Sequence, residues 1–365
     1  MTPVRTLALI QTVVGAGLIA LNHRLPDESR TLGIILIVVG ALLAIAPGSV
    51  RIRRTAELLS VTMLVLIGGE LTVRWQNALG QRAFANSFVH FVDDPELRYE
   101  LEPDTRCSAS TTNSLGMLDR ARQLANPEGA LRIACLGDSV GGDCLLPTHN
   151  VCAALETAMT AKHGAPVEVL NFSVPGYNTI QEARALETKA APFSPEAVVV
   201  LYVINDPYPD LAISHHLPGH LKFEHLLYSA ALGLLGRIGI GDQIGKEVGR
   251  LYDDPRAWAV VENGFARIAA VGQARKIPVI VAIFPMFLTR PSPSLPAIYR
   301  RVAAEATRHG LIAIDLSERA YKNVPIDTLL KPSHDPIHPN AQAHRLAAEV
   351  LSETLLSLHP EWVKP

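Results

Sequence analysis

Leu131-Arg132-Ile133-Ala134-Cys135-Leu136-Gly137-Asp138-Ser139 is the stretch on which the fold turns. Its first six residues are almost continuously apolar, whereas a strand with one wet face would alternate. They therefore predict a strand covered on both faces. Runs of the same kind recur at residues 167–171, 197–203, 278–283 and 311–315. Helical patterns lie between them at residues 151–162, 179–190, 257–274 and 297–309, and a last one follows at residues 341–358. Strands alternating with amphipathic helices predict an α/β fold with about five parallel strands and helices on both faces. Residues 130–365 are ample for one buried core.

Working outward, residues 76–129 are polar and without a strong period, and read as a connector packing onto that domain. Upstream, three apolar runs at residues 7–21, 32–46 and 58–73 lie close to the length a helix needs to cross a bilayer, about 17–25 residues. A cleaved signal peptide would account for the first run but not for the other two. Residues 1–75 are thus expected to be a membrane anchor of three transmembrane helices. Arg5, Arg51, Arg53 and Arg54 place the flanking loops in the cytoplasm, so everything after Trp75 is expected on the outer face of the cytoplasmic membrane. Glu70 and Arg74, four residues apart at the end of the third run, read as an interfacial ion pair.

Charge is nearly balanced, 33 basic against 35 acidic residues, so no basic field points to nucleic acid. Cys135 sits in a strand pattern and reads as a buried thiol. Cys107, Cys144 and Cys152 admit more than one disulfide pairing, and their spacing does not match a zinc site. About fifty residues between Pro207 and Arg256 interrupt the alternation. The pattern Leu221, Phe223, Leu226, Leu227, Ala230, Leu234 and Leu235 reads as an amphipathic helix there, either a lid or an extension of the core. His215, His216, His220 and His225 in this insertion read as solvated loop histidines, because no carboxylate or thiol accompanies them in ligand spacing.

Four short segments carry chemistry. Ser139 follows the first strand at its carboxyl end, where parallel sheets gather ligands, and a nearby helix start would aim amides at a developing oxyanion. Asp335-Pro336-Ile337-His338 precedes the last helix, and a carboxylate three residues before a histidine can orient it as a base. Pro339 and Asn340 suit that helix's start. Gly176, after the second strand, lets a backbone N–H approach a ligand closely. Asn205, after the third, offers an amide N–H₂; losing one such donor costs about 2.7–4 kcal/mol of transition-state stabilisation.

Ser139, Gly176, Asn205 and His338 stand in the order that names the SGNH (GDSL) hydrolases, and the chain resembles that family over residues 131–358, nearly two thirds of its length. Asn113-Ser114-Leu115-Gly116-Met117 also resembles the approach segment of membrane-anchored members. The resemblance implies a flavodoxin-like α/β/α sandwich and acyl-ester chemistry without metal or cofactor. It implies Ser139 as nucleophile, His338 as base and Asp335 as its orienting acid. The oxyanion hole would comprise the Ser139 and Gly176 N–H groups and the Asn205 side chain. Val203 departs from the glycine, and Leu118 from the arginine, that many members have at those places. Gly137-Asp138-Ser139-Val140-Gly141 also fits the G-x-S-x-G elbow of α/β-hydrolases, but there the serine would follow several strands, not the first.

The expected function is hydrolysis of carboxylic esters through an acyl-enzyme, outside the cytoplasmic membrane. The expected substrate is an acylated small molecule, lipid or glycan. The same triad could instead transfer an O-acyl group to a cell-surface glycan, which would call for a polysaccharide-modification partner.

Overall fold

The computed structural model describes residues 88–126, 129–142, 144, 150–208, 242–288, 291–331 and 338–363, with isolated positions between 12 and 69. The chain divides into two compact units, Met1–Arg82 with Leu217–Leu234, and Ala83–His216 with Leu235–Pro365. The second unit holds every element below. Among the described residues no helix is long and apolar enough to cross a membrane. The three apolar N-terminal runs, Glu70 and the histidines of the insertion lie outside the described residues, scattered single positions of the runs apart.

Two small antiparallel pairs come first, β1 (Val89–Phe91) with β2 (Tyr99–Leu101) and β3 (Arg106–Cys107) with β4 (Ser110–Thr111). The main sheet comprises β5 (Leu131–Gly137), β6 (Val167–Asn171), β7 (Ala197–Tyr202), β8 (Val279–Ile283) and β9 (Ile312–Asp315). All its pairings are parallel, in the order β6-β5-β7-β8-β9. This is the 2-1-3-4-5 order of the flavodoxin-like sheet, which reverses direction beside its first strand.

Each strand divides its residues between two cores because successive side chains point to opposite faces. Leu131, Ile133 and Cys135 of β5 join Val199, Leu201 and Ile280 on one face. Helices α1 (Val151–Lys162) and α7 (Ala341–Leu358) close that face with Leu155, Met159, Ala347 and Leu351. Ala134 and Leu136 enter the other core with Val198, Val200 and Tyr202. It is closed by α2 (Thr179–Ala185), α4 (Pro255–Arg275) and α5 (Leu295–Arg308), through Ala183, Phe265, Ile268 and Val302.

Side-chain caps set the helix starts. Asn150 accepts from Ala153 N, Asn178 and Gln181 form a reciprocal capping box, and Asn340 accepts from Gln342 N and Ala343 N. Helix α2 is shorter than its pattern, since Leu186–Ala190 winds on as a π-helical turn. A further helix, α3 (Gln243–Asp253), occupies the end of the insertion, whose patterned stretch at 221–235 lies outside the described residues. A short α6 (Leu316–Arg319) follows β9.

The irregular connector is ordered by hydrogen bonding rather than by periodic secondary structure. The buried Arg132 guanidinium spends all five of its N–H donors, on the carbonyls of Gln123, Leu124, Ala125 and Phe193 and on Glu168. Connector residues Leu97, Tyr99, Leu101, Met117 and Leu118 complete one of the cores.

The cysteines correct the expectation of a free thiol at Cys135. That residue is buried, but it is bonded to Cys152, and Cys107 is bonded to Cys144; no described cysteine is free. Cys135 near the end of β5 faces the first turn of α1, which brings the Cα atoms to 6.3 Å, and those of Cys107 and Cys144 lie 5.4 Å apart. Closing loops of 37 and 17 residues removes chain entropy worth about 4 and about 3 kcal/mol respectively. Replacing Cys135 and Cys152 together by serine should lower unfolding stability by about 3 kcal/mol, read as a reduced denaturant midpoint. An unchanged midpoint would mean the bridge contributes nothing.

Candidate active site

The site lies where the sheet reverses direction, at the carboxyl ends of β5, β6 and β7. Ser139 stands two residues beyond β5 in a tight turn closed by Gly142 N donating to Asp138 O at 2.8 Å. The turn needs glycine because the floor beneath it is close. A Cβ at Gly141 would meet Ser173 Oγ at 2.1 Å and Leu201 Cδ1 at 2.8 Å, and one at Gly137 would meet Leu201 Cβ at 2.9 Å. Among the described residues the first helix after Ser139 is α1, which begins at Val151.

His338 reaches the nucleophile from the opposite end of the chain, with Nε2 2.8 Å from Ser139 Oγ. Its segment is held just after the ring. Asn340 caps α7 with its oxygen and donates Nδ2 to the carbonyls of Thr328 and Leu330, while its own N–H bonds Leu329 O. Asp335 lies outside the described residues.

The expected oxyanion donors occupy the neighbouring strand ends. Asn205, in the turn after β7, donates Nδ2 to Asp138 Oδ2 at 2.9 Å. Asp138 is fully buried; its Oδ1 accepts from Val140 N at 2.9 Å, and its Oδ2 also accepts from Ser139 Oγ at 3.2 Å. Gly176 lies in the loop after β6 with φ +85°, a conformation that suits a residue without Cβ. That loop is stitched to the nucleophile turn by Val174 N to Gly137 O and by Asn171 Nδ2 to Gly141 O. Tyr99 of the connector clamps it from outside, donating to Pro175 O at 2.8 Å and accepting from Tyr177 Oη at 2.6 Å on its own carbonyl. Sequence reading singled out neither Tyr99 nor the side chain of Asp138; the latter lay in plain view beside Ser139, but nothing in the motif says where its carboxylate points. Val203 and Leu118, the two departures from the family pattern, are both buried in the cores.

Two further carboxyls lie beneath the site. Glu182 is buried, and neither of its oxygens has a hydrogen-bond partner among the described residues. Burial pushes its pKa well up, and the negative charge of Asp138 adds to the effect. Burial likewise raises Asp206, reinforced by Glu182 and Asp138 and opposed only by the Val203 N–H that donates to it. Both carboxyls keep their protons in the folded chain at pH values where the unfolded chain has lost them. Their contribution to stability is complete below the ordinary carboxyl pKa of about 4 and declines as pH rises above it. Among the described residues no group of three His, Cys, Asp or Glu could hold a metal ion.

Solved structures to which the chain is similar include a lipase/acylhydrolase from Enterococcus faecalis, 15% identical over 64% of this chain and 97% of that one, with TM-score 0.42. They include a catalytic mutant of an acetylxylan esterase from Geobacillus stearothermophilus, 15% identical over 65% and 98%, with TM-score 0.41. An α/β hydrolase enzyme from the metagenome of Lake Arreo, Spain, is 17% identical over 64% and 99%, with TM-score 0.40. No curated protein matches the sequence. The model of the GDSL-like lipase/acylhydrolase family matches residues 135–346, more than half of the chain, from the strand before Ser139 to the helix after His338. The chain belongs to that family and is an ester-hydrolysing enzyme.

Proposed function

We propose that this enzyme cleaves carboxylic esters by an acyl-enzyme route in which Ser139 is the nucleophile and His338 the general base. The observation that carries the reading is the 2.8 Å contact between His338 Nε2 and Ser139 Oγ. Those two residues are 199 positions apart in the chain and meet at the sheet's switch point. Ser139 Oγ attacks the ester carbonyl carbon while its proton passes to His338 Nε2. The carbonyl oxygen becomes an oxyanion, received by the Ser139 and Gly176 N–H groups and by Asn205 Nδ2. Collapse breaks the bond to the alcohol, which leaves with the proton from His338. Water then attacks the acyl-serine, giving its proton to the same nitrogen, and the acid departs as Ser139 recovers its hydrogen. Asp335 is assigned the orienting role, from its place three residues before His338.

We place the reaction outside the cytoplasm, on the outer face of a membrane held by the N-terminal apolar runs. Two disulfides in the catalytic unit support an oxidising compartment. The substrate is an acylated small molecule, lipid or glycan, and no cofactor is called for by these steps.

Purified full-length chain should hydrolyse p-nitrophenyl acetate, butyrate or octanoate, with the chain-length profile reporting the acyl pocket. Ser139→Ala and His338→Ala should each lower kcat by at least about 10³-fold with the fold retained. Substantial turnover by folded Ser139→Ala would sink the assignment. Transfer of the acyl group to a sugar hydroxyl in preference to water would instead make the enzyme an acyltransferase. Asn205→Ala should reduce kcat by about 10²–10³-fold and leave KM nearly unchanged, since its donor acts on charge that exists only in the transition state. Unchanged kcat would remove Asn205 from the hole.

A further inference from the structure

The carboxamide of Asn205 is nearly symmetrical in shape, and only one of its two orientations serves an oxyanion. Turned one way it offers N–H; turned the other it aims a carbonyl oxygen at a developing negative charge. The two atoms differ little in size, so packing cannot choose between them and a hydrogen-bond partner must. Among the described residues Asn205 Oδ1 is buried and has no partner, so that end of the amide is not held. The nitrogen end is held, by Asp138 Oδ2 at 2.9 Å.

We propose that Asp138 is a positioning residue for the oxyanion hole: its buried carboxylate holds the Asn205 amide nitrogen beside Ser139, so that the second N–H is left for the substrate. A carboxylate can only accept, and this selects the nitrogen over the oxygen. Its own orientation is fixed, because Oδ1 is engaged by Val140 N at 2.9 Å. The same Oδ2 lies 3.2 Å from Ser139 Oγ, so one oxygen atom gauges the separation of nucleophile and donor. The inference rests on the serine mechanism proposed above and adds to it the residue that decides which way the donor faces.

Asp138→Asn changes no shape but reverses the selection. The new side chain must still accept from Val140 N with its oxygen, which turns its N–H₂ toward Asn205. Two N–H₂ groups cannot bond each other, so Asn205 turns over and presents Oδ1 near the hole. The variant should therefore behave like Asn205→Ala, with kcat down about 10²–10³-fold and KM within about threefold of the parent. Because the two residues act in series, the double variant Asp138→Asn, Asn205→Ala should be no more than about threefold slower than Asn205→Ala alone. A residue that merely supported the turn would slow the double variant by its full separate factor. That multiplicative outcome, or an Asp138→Asn enzyme with parental kcat, overturns the proposal.

Serine-dependent turnover in the parent accompanied by either overturning outcome defeats this inference alone. Turnover surviving in folded Ser139→Ala defeats the mechanism and this inference with it. Should Asp138→Asn fail to fold, the parent protein still decides. The Asn205 side-chain amide, assigned by its loss from the ¹⁵N spectrum of Asn205→Ala, should show one proton shifted downfield and slow to exchange. Two equivalent, rapidly exchanging protons would refute the bond to Asp138.

Discussion

The buried carboxylate of Asp138 is the interaction about which the catalytic end of the sheet is organised. Oxygen atoms of this one group receive Val140 N and Asn205 Nδ2, and one of them lies 3.2 Å from Ser139 Oγ, thereby joining the turn after β5 to the turn after β7. The third strand end is drawn in by backbone and amide bonds, from Val174 N to Gly137 O and from Asn171 Nδ2 to Gly141 O. The β6-β5-β7 order makes this economical. The first strand of the sheet lies between the second and third, so a residue at its tip reaches both neighbours without a long loop. Donors fixed before substrate arrives need no reorganisation as charge develops, which is why such positions contribute more to catalysis than their hydrogen bonds contribute to folding.

Burying one carboxylate has consequences for its neighbours. Glu182 and Asp206 lie in the same dry region, and each is raised by burial and by the charge of Asp138. A low dielectric disfavours the charged form of a carboxyl, and a neighbouring negative charge disfavours it further. The three carboxyls also differ in the donors they receive. Asp138 receives two N–H donors, from Val140 and Asn205, Asp206 receives one from Val203, and Glu182 receives none among the described residues. The chain carries this cost at the catalytic end of the sheet, where hydrogen bonding to one oxygen is needed by both the nucleophile and the hole.

The strands and helices of the catalytic unit were legible because their signals are local. Continuous apolar runs gave β5 through β9 within a residue or two, and Pro339 and Asn340 marked the start of α7. The order Ser139, Gly176, Asn205, His338 could be read because each lies just beyond a strand or ahead of a helix. What could not be read depends on which distant groups meet. Nothing in the strand pattern shows that the Arg132 guanidinium orders the connector. Cys135 looked like a small apolar residue because burial and disulfide bonding leave the same mark on a strand pattern. Tyr99, in a stretch without periodicity, clamps the Gly176 loop from 76 residues away.

The connector and the disulfides bear on the site through the segments flanking Ser139. Cys135 lies four residues before the nucleophile and Cys144 five residues after it, and each is tied to a different element: α1 in the first case, the connector strand β3 in the second. A turn crowded against Ser173 and Leu201 cannot relax inward, and these two bonds limit how far its flanks move outward. The Tyr99 clamp does for the Gly176 loop what Cys107–Cys144 does for the nucleophile turn, and both originate in residues 88–126. The connector thus belongs to the catalytic machinery as much as the sheet does. It fixes from outside the two loops that Asp138 and the strand ends fix from beneath, and a hole whose donors are held from both sides loses little order when the substrate's oxygen becomes charged.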